Sequence, residues 1–179
     1  MELDRVNGHF VNGLNEEVEL EDGLVYGILK SSDLKNTVIN QTRKFTIVTQ
    51  KKVGQETKFI KSEYPATFTL VLPQDNKPVM LDDTCYFIGF DKVEFAVYAL
   101  ILLNSDTTMQ FLRSVTFADA KRTFTKDVLM WIDLLELGNK IDKLDLTKEL
   151  QKLNEMYNLD LSLELWDSFI AEMTPIHKR

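Results

Sequence analysis

A chain of 179 residues with 44% hydrophobic residues, eleven Phe among them, can bury a core and is no disordered tail. Its formal charge of −7 and pI near 4.9 exclude a generally sticky, histone-like nucleic-acid binder, so any polyanion it meets is met locally. The single cysteine, Cys85, allows no internal disulfide, no run of about 18 apolar residues occurs, and Met1 to Phe10 form no export signal; a reducing cytoplasm is expected, with no membrane contact.

In chain order, Asn7-Gly8, Asn12-Gly13 and Asp22-Gly23 are turn dipeptides, which predict hairpin turns or an irregular opening arm, with regular structure from about Leu24. Leu24 to Leu29, Phe45 to Gln50 and Thr67 to Leu72 are short β-branched, aromatic and aliphatic runs between polar segments, the signature of strands. Val79 to Phe90 adds a fourth strand and a fifth, in which Cys85 among Thr84, Tyr86, Phe87 and Ile88 reads as buried. Alternation along Phe45 to Gln50 places Lys51, Lys52 and Gly54 in the loop that leaves that strand.

From Val93 the apolar period becomes helical, through Phe95, Ala96, Tyr98, Ala99, Leu102 and Leu103 to an end near Asn104-Ser105. A second helix is predicted from a cap at Asp106 or Thr107 through Val115. Phe117 to Arg122 is read as a loop. A third helix runs from a cap at Thr125 to about Leu135, with Val128, Leu129, Trp131 and Ile132 facing the core. Gly138 is read as a break, Thr147 and Ser162 as caps of two further helices, and Pro175 as the stop of the last, whose Leu165, Trp166, Phe169, Ile170 and Met173 share one face. The fold class is α+β: a small mixed sheet followed by packed helices. Residues 1–135 are read as the main domain and 136–179 as a helical appendage.

Charge is unevenly placed. Between Lys30 and Lys61 stand eight cations (Lys30, Lys35, Arg43, Lys44, Lys51, Lys52, Lys58, Lys61) against two acids, Asp33 and Glu56, whereas the 29 residues before them balance at −6. A local excess of this kind suits a surface that meets phosphates, since each phosphate neutralised releases condensed counterions; an exposed, solubilising sheet face has the same composition. The helical end opposes such a role, with ten acids and four lysines from Asp133 to Glu172.

The parts needed for most chemistry are missing. None of the seven glycines forms a GxG or GxxxxGK turn at which backbone N–H groups could approach a nucleotide or S-adenosylmethionine. His9 and His177 lie far from Cys85 in sequence, so zinc and Cys/His catalysis lack their components. Asp33 with Glu56-Thr57-Lys58 loosely matches the acid and Glu-x-Lys of metal-dependent nucleases, against the simpler reading of carboxylates balancing a basic loop. Asp82-Asp83 offers only two ligands and reads as a turn.

Five segments in order resemble a known family: Leu29 to Asn36, Val48 to Thr57, Met80 to Phe87, Leu102 to Ser105, and Thr116 to Asp127. Together, over about residues 17 to 134, they are similar to the C-terminal target-recognition region of adenine-specific DNA methyltransferases and of type II enzymes that fuse restriction with modification. The resemblance implies docking on double-stranded DNA and selection of its sequence, while a separate domain or subunit binds S-adenosylmethionine and methylates the flipped adenine. The present chain lacks that domain's glycine-rich turn and Asn-Pro-Pro-Tyr type motif, so the resemblance implies a non-catalytic specificity part of a restriction–modification system, holding no cofactor itself and working with a methyltransferase or restriction catalytic subunit.

By the same resemblance Lys30, Ser31, Ser32 and Lys35 position one loop, and Lys51, Lys52 and Thr57 belong to a backbone-contacting loop. Lys121 with Arg122 gives a second phosphate contact, and Gln50, Gln55 and Arg122 are the base-reading candidates. The segment Lys58 to Val79 is shorter than the family's counterpart. That shortening leaves open a degenerate recognition domain that binds a partner protein, and the metal-dependent nuclease stays as a third expectation.

Overall fold

The computed structural model describes residues 2–20, 22–47, 56–60, 68–82, 85–116 and 125–173, with the backbone alone for 22, 47 and 56–60. Regular structure begins well before Leu24. Strands β1 (Glu2–Val6), β2 (His9–Val11) and β3 (Glu17–Val18) form an antiparallel meander. Asn7 (φ 50°) and Gly8 (φ 90°) make the two-residue turn between paired Val6 and His9, in the left-handed conformation these two residue types tolerate best. Sequence periodicity missed β1 because its support is distant: Leu3 is fully buried through pairing with Phe45 of β6 (Lys44–Ile47).

The remaining strands are β4 (Val25–Leu29), β5 (Val38–Ile39), β7 (Glu56–Ile60), β8 (Phe68–Val71), β9 (Met80–Leu81) and β10 (Phe87–Phe90). The class is α+β, as expected, but the described strands divide between two mixed sheets, ordered β3-β2-β1-β6-β4-β9 and β10-β7-β8-β5. Each contains one parallel pair, β4 with β9 and β5 with β8. Strand β5 is only two residues between polar neighbours, and β7 begins Glu-Thr-Lys, so neither carries a hydrophobic signal.

Six described helices follow: α1 (Val93–Leu103), α2 (Asp106–Val115), α3 (Lys126–Met130), α4 (Leu134–Lys140), α5 (Lys143–Tyr157) and α6 (Trp166–Glu172). Every residue of α1 from Phe95 to Leu103 is buried, so this helix is enclosed on all sides, with the second sheet against it and α4, α5 and α6 also packed on it. Tyr98 meets Trp166 and Phe169 edge to face at centroid distances of 5.4 and 5.6 Å, and Leu146 and Leu150 of α5 join the same core. Burying side chains such as Trp166 and Phe169 contributes about 1.5–3 kcal/mol each. Smaller clusters lie between the sheets (Leu29, Leu34, Ile39, Val71) and under the meander (Leu3, Val25, Phe45).

Several local expectations are corrected. Ser105, not Asp106 or Thr107, caps α2, accepting from the Thr108 N–H. The single helix expected to Leu135 is two, because Asp133 accepts from the Glu136 N–H and starts α4 afresh; Trp131, between them, is exposed. Gly138 lies inside α4, buried. Thr147 is mid-helix in α5, whose cap is Asp142, accepting from the N–H groups of Leu144 and Asp145. Ser162 precedes α6 without capping it, and its carbonyl accepts the Tyr98 hydroxyl. Cys85 is half-buried and Tyr86, Phe87 and Ile88 are exposed, because β10 is an edge strand and buries only Phe90 fully. Among the described residues no helix is long and apolar enough to cross a membrane.

Candidate nucleic-acid interface

The turn Lys30 to Lys35 is built by two residues. At the end of β4 the Asp33 carboxylate accepts the Lys30 backbone N–H at 2.9 Å, closing a single 3-10 turn over Ser31–Asp33. Leu34 is buried against Leu29, Ile39 and Val71 and anchors the turn from below. Ser31 is half-buried, Ser32 is exposed, and Lys35 projects at the surface. Asp33, a candidate metal ligand in the sequence, thus has a structural task. Among the described residues no group of three His, Cys, Asp or Glu could hold a metal ion.

The basic stretch is partly neutralised by the acidic arm that precedes it. Lys30 forms an ion pair with Glu2, whose hydrogen bond raises the lysine above its ordinary value of 10.5. Lys44 pairs with Asp4 at 2.6 Å, across the β1–β6 register Asp4↔Lys44. Lys35 and Arg43 are exposed and make no ion pair among the described residues. Two local cations therefore remain available for an outside anion.

Those two cations flank a polar cleft of about 240 Å³, lined also by Asn36, Asn40, Gln41 and Asp33. It forms because Val38 and Ile39 pair with Leu70 and Val71 of β8 and point into the core, leaving their polar neighbours at the rim. Amide side chains present a donor and an acceptor together and a guanidinium presents a fork of donors, which is the equipment that reads base edges. Sequence reasoning passed over Asn40 and Gln41, and met Asn36 and Arg43 only as members of a longer segment and of the basic stretch. Their density in eight residues was the available signal.

Of the other expected site residues, Thr57 lies within β7, paired with Gly89 on one side and Val71 on the other, so it is a strand residue and not part of a loop. Glu56 and Lys58 share that strand. Gln50, Lys51, Lys52, Gln55, Lys121 and Arg122 lie outside the described residues, as does the expected loop Phe117 to Arg122. On the helical side three lysines are tied to neighbouring acids: Lys140 to Glu136, Lys148 to Asp145 and Lys152 to Glu149. A separate apolar cleft of about 370 Å³ lies beside β10 and α3, lined by Phe87, Ile88, Leu129 and Met130 among others.

The chain is 27% identical over 191 residues to the type II methyltransferase M.NspV of Nostoc sp. (strain ATCC 29411 / PCC 7524), an alignment that takes in 79% of this chain and 40% of that protein. Most of the chain is thus related to a region of a type II methyltransferase, and it spans two fifths of that relative's length. The alignment is longer than the 179 residues of the chain, so the relative carries additional residues within the matched region. No family model matches the chain, and no solved structure matches it.

Proposed function

We propose that this chain is the DNA target-recognition part of a restriction–modification system, acting on double-stranded DNA beside a catalytic domain or subunit of an adenine-specific methyltransferase. The similarity of most of the chain to a type II methyltransferase carries this reading. It is supported by Lys35 and Arg43, which make no ion pair among the described residues, beside an amide-rich cleft on an otherwise acidic protein. In this role Lys35, with Lys51 and Lys52, meets phosphates and releases counterions, which sets the position of the duplex; side chains with paired donors and acceptors then choose among base edges. S-adenosylmethionine and the methyl transfer belong to the catalytic partner, since this sequence has no glycine-rich turn to hold the cofactor.

The test is fluorescence anisotropy of mixed-sequence duplexes across a salt series. A working docking surface weakens with a log–log slope of about −0.9 per phosphate contacted, and loses binding in Lys51→Glu/Lys52→Glu. A second reading, a shortened domain that binds a methyltransferase or nuclease protein without touching DNA, is favoured by the extra residues of the relative inside the matched region. Absence of duplex binding at low salt, together with capture of such a catalytic protein, would select it.

A further inference from the structure

We propose that Asn40 and Gln41 read base edges in duplex DNA and that the same groove runs on through Lys35 and Asn36 to Arg113, which holds a phosphate. This inference rests on the DNA-recognition reading and specifies which residues would perform it. The cleft that contains Asn40, Gln41 and Arg43 shares Lys35 and Asn36 with a second cleft of about 460 Å³, which also takes in Thr37, Asn104 and Arg113. The two volumes therefore form one furrow along the open side of β5.

Three observations distinguish this furrow from an ordinary polar surface. The first concerns charge. Lys30, Lys44, Lys140, Lys148 and Lys152 each hold an acid; of the cations with no ion pair among the described residues, Lys35, Arg43 and Arg113 gather at this furrow, while Arg5, Lys92, Lys126 and Lys143 lie elsewhere. With Lys152, Asp33 and Glu149 included, the groove carries four cations against two acids on a chain of net charge −7, a local excess that favours an anion. Glu149 lines the same furrow but is matched by Lys152 at 3.5 Å.

The second concerns the amides. Asn104 uses both atoms of its amide on Phe68, and Asn154 does the same on Leu161. Asn36, Asn40 and Gln41 are exposed and make no side-chain hydrogen bond among the described residues. Their donors and acceptors are free to pair in bidentate fashion with a base, adenine being the best match for an amide and guanine for Arg43.

The third is preorganisation. The backbone that carries these side chains is fixed at short intervals. The Leu70 N–H donates to the Thr37 carbonyl at 2.8 Å, the Leu72 N–H donates to the Ile39 carbonyl at 2.9 Å, and Thr42 donates to Gln74 Oε1 from its N–H at 2.8 Å and its hydroxyl at 2.9 Å. Unsatisfied polar side chains on a backbone pinned before and after them are what a recognition surface needs, because little ordering remains to be done on binding.

The experiment uses the full chain with a pool of duplexes carrying a randomised core, selected by binding and followed by anisotropy, with circular dichroism melts to show that each variant is folded. Arg113→Glu is expected to weaken binding to every duplex and to reduce the salt slope by about 0.9. Asn40→Ala/Gln41→Ala is expected to keep the wild-type slope but lose about 5- to 100-fold for the selected sequence over the random pool, the discrimination of one or more bidentate base contacts. Lys126→Glu, the same charge change outside the furrow, should have a smaller effect than Arg113→Glu. The groove assignment is overturned if Arg113→Glu and the amide double variant both behave as wild type while Lys51→Glu/Lys52→Glu abolishes binding, or if Lys126→Glu weakens binding as much as Arg113→Glu. Wild type that shows no salt-dependent binding would remove the DNA-recognition reading and this inference with it.

Discussion

The side chain of Asn104 grips both sides of one residue of β8: its Nδ2 donates to the Phe68 carbonyl at 2.9 Å and its Oδ1 accepts the Phe68 N–H at 2.8 Å. This ties the end of α1 to the start of the strand beneath it. Because Phe68 is almost fully buried, water cannot easily replace the lost partners in Asn104→Ala. The variant should lose about 1–3 kcal/mol in chemical denaturation, two hydrogen bonds at their usual worth, while Asn104→Asp, which retains only the acceptor, should also be destabilised.

Gly138 lacks a side chain because Ile170 occupies the space. A Cβ at that position would come within 2.3 Å of Ile170 Cδ1, with Trp166 and Leu102 at ordinary contact distance. Alanine in a helix interior normally stabilises by about 1 kcal/mol relative to glycine, and here that gain should shrink because the Ile170 Cδ1 methyl, the far end of a flexible side chain, has to move aside. In an Ile170→Ala background the gain should return in full. A double-mutant cycle by thermal melting measures the coupling, expected at up to about 1 kcal/mol; strict additivity would show that the contact is relieved at no cost.

Asp33 acts on the Lys30 N–H as an acceptor, and charge is secondary to that task. Asp33→Asn keeps an oxygen in place and should change stability little, whereas Asp33→Ala should cost about 0.5–2 kcal/mol. Magnesium ions should leave the melting temperature of the wild type unchanged. A rise in melting temperature with magnesium that Asp33→Asn removes would instead favour the metal-dependent nuclease.

Glu2 neutralises Lys30 at the edge of the proposed DNA surface. Glu2→Gln removes an acid and releases a cation, so duplex affinity should increase at low salt and the difference should shrink as salt is added, both read by anisotropy. Unchanged affinity at low salt would place the turn away from the bound duplex.

Burial raises the Tyr98 phenol above its ordinary value of 10.0, since the phenolate has no solvent around it. The unfolded chain releases this proton from about pH 10 upward while the native protein retains it, so the stability associated with the neutral phenol is whole below pH 10 and declines as pH climbs toward the raised native value. Tyr98→Phe leaves the Ser162 carbonyl without its donor and should cost about 1 kcal/mol at neutral pH. That deficit should narrow above pH 10, which denaturation at a series of alkaline pH values measures.

How much of this could be read from the residues alone varied with the range of the interactions involved. Helix α1 was legible because its apolar spacing is dense and continuous, and the strands β4 and β8 because their runs are apolar almost throughout. Strands β1, β5 and β7 were not, since each owes its existence to pairing with residues far along the chain, and β5 is too short to show any period. Gly138 looked like a stop because glycine is a poor helix former, yet tight packing with Ile170 outweighs propensity there. For the candidate site, the basic stretch was visible but its internal balance was not: Glu2 and Asp4 reach two of its cations only once β1 lies beside β6. Lys35 was anticipated and Arg43 belonged to the basic stretch, whereas Asn40 and Gln41, which follow β5, became distinct only as lining of a cleft.

The order of the first sheet has a consequence for synthesis on the ribosome. Strand β4 lies between β6 and β9, both of which follow it in the chain, and β1 waits for β6 as well. The meander β1-β2-β3 can pair as it emerges, but the rest of the first sheet cannot close in chain order. An apolar strand, Val25–Leu29, gains β6 on one side but keeps its other edge open until residues 80 and 81 have been translated, an interval in which it can pair with another nascent chain. Slow, non-local closure of this kind makes yield during expression sensitive to temperature and to chaperone supply, even for variants whose final stability is unchanged.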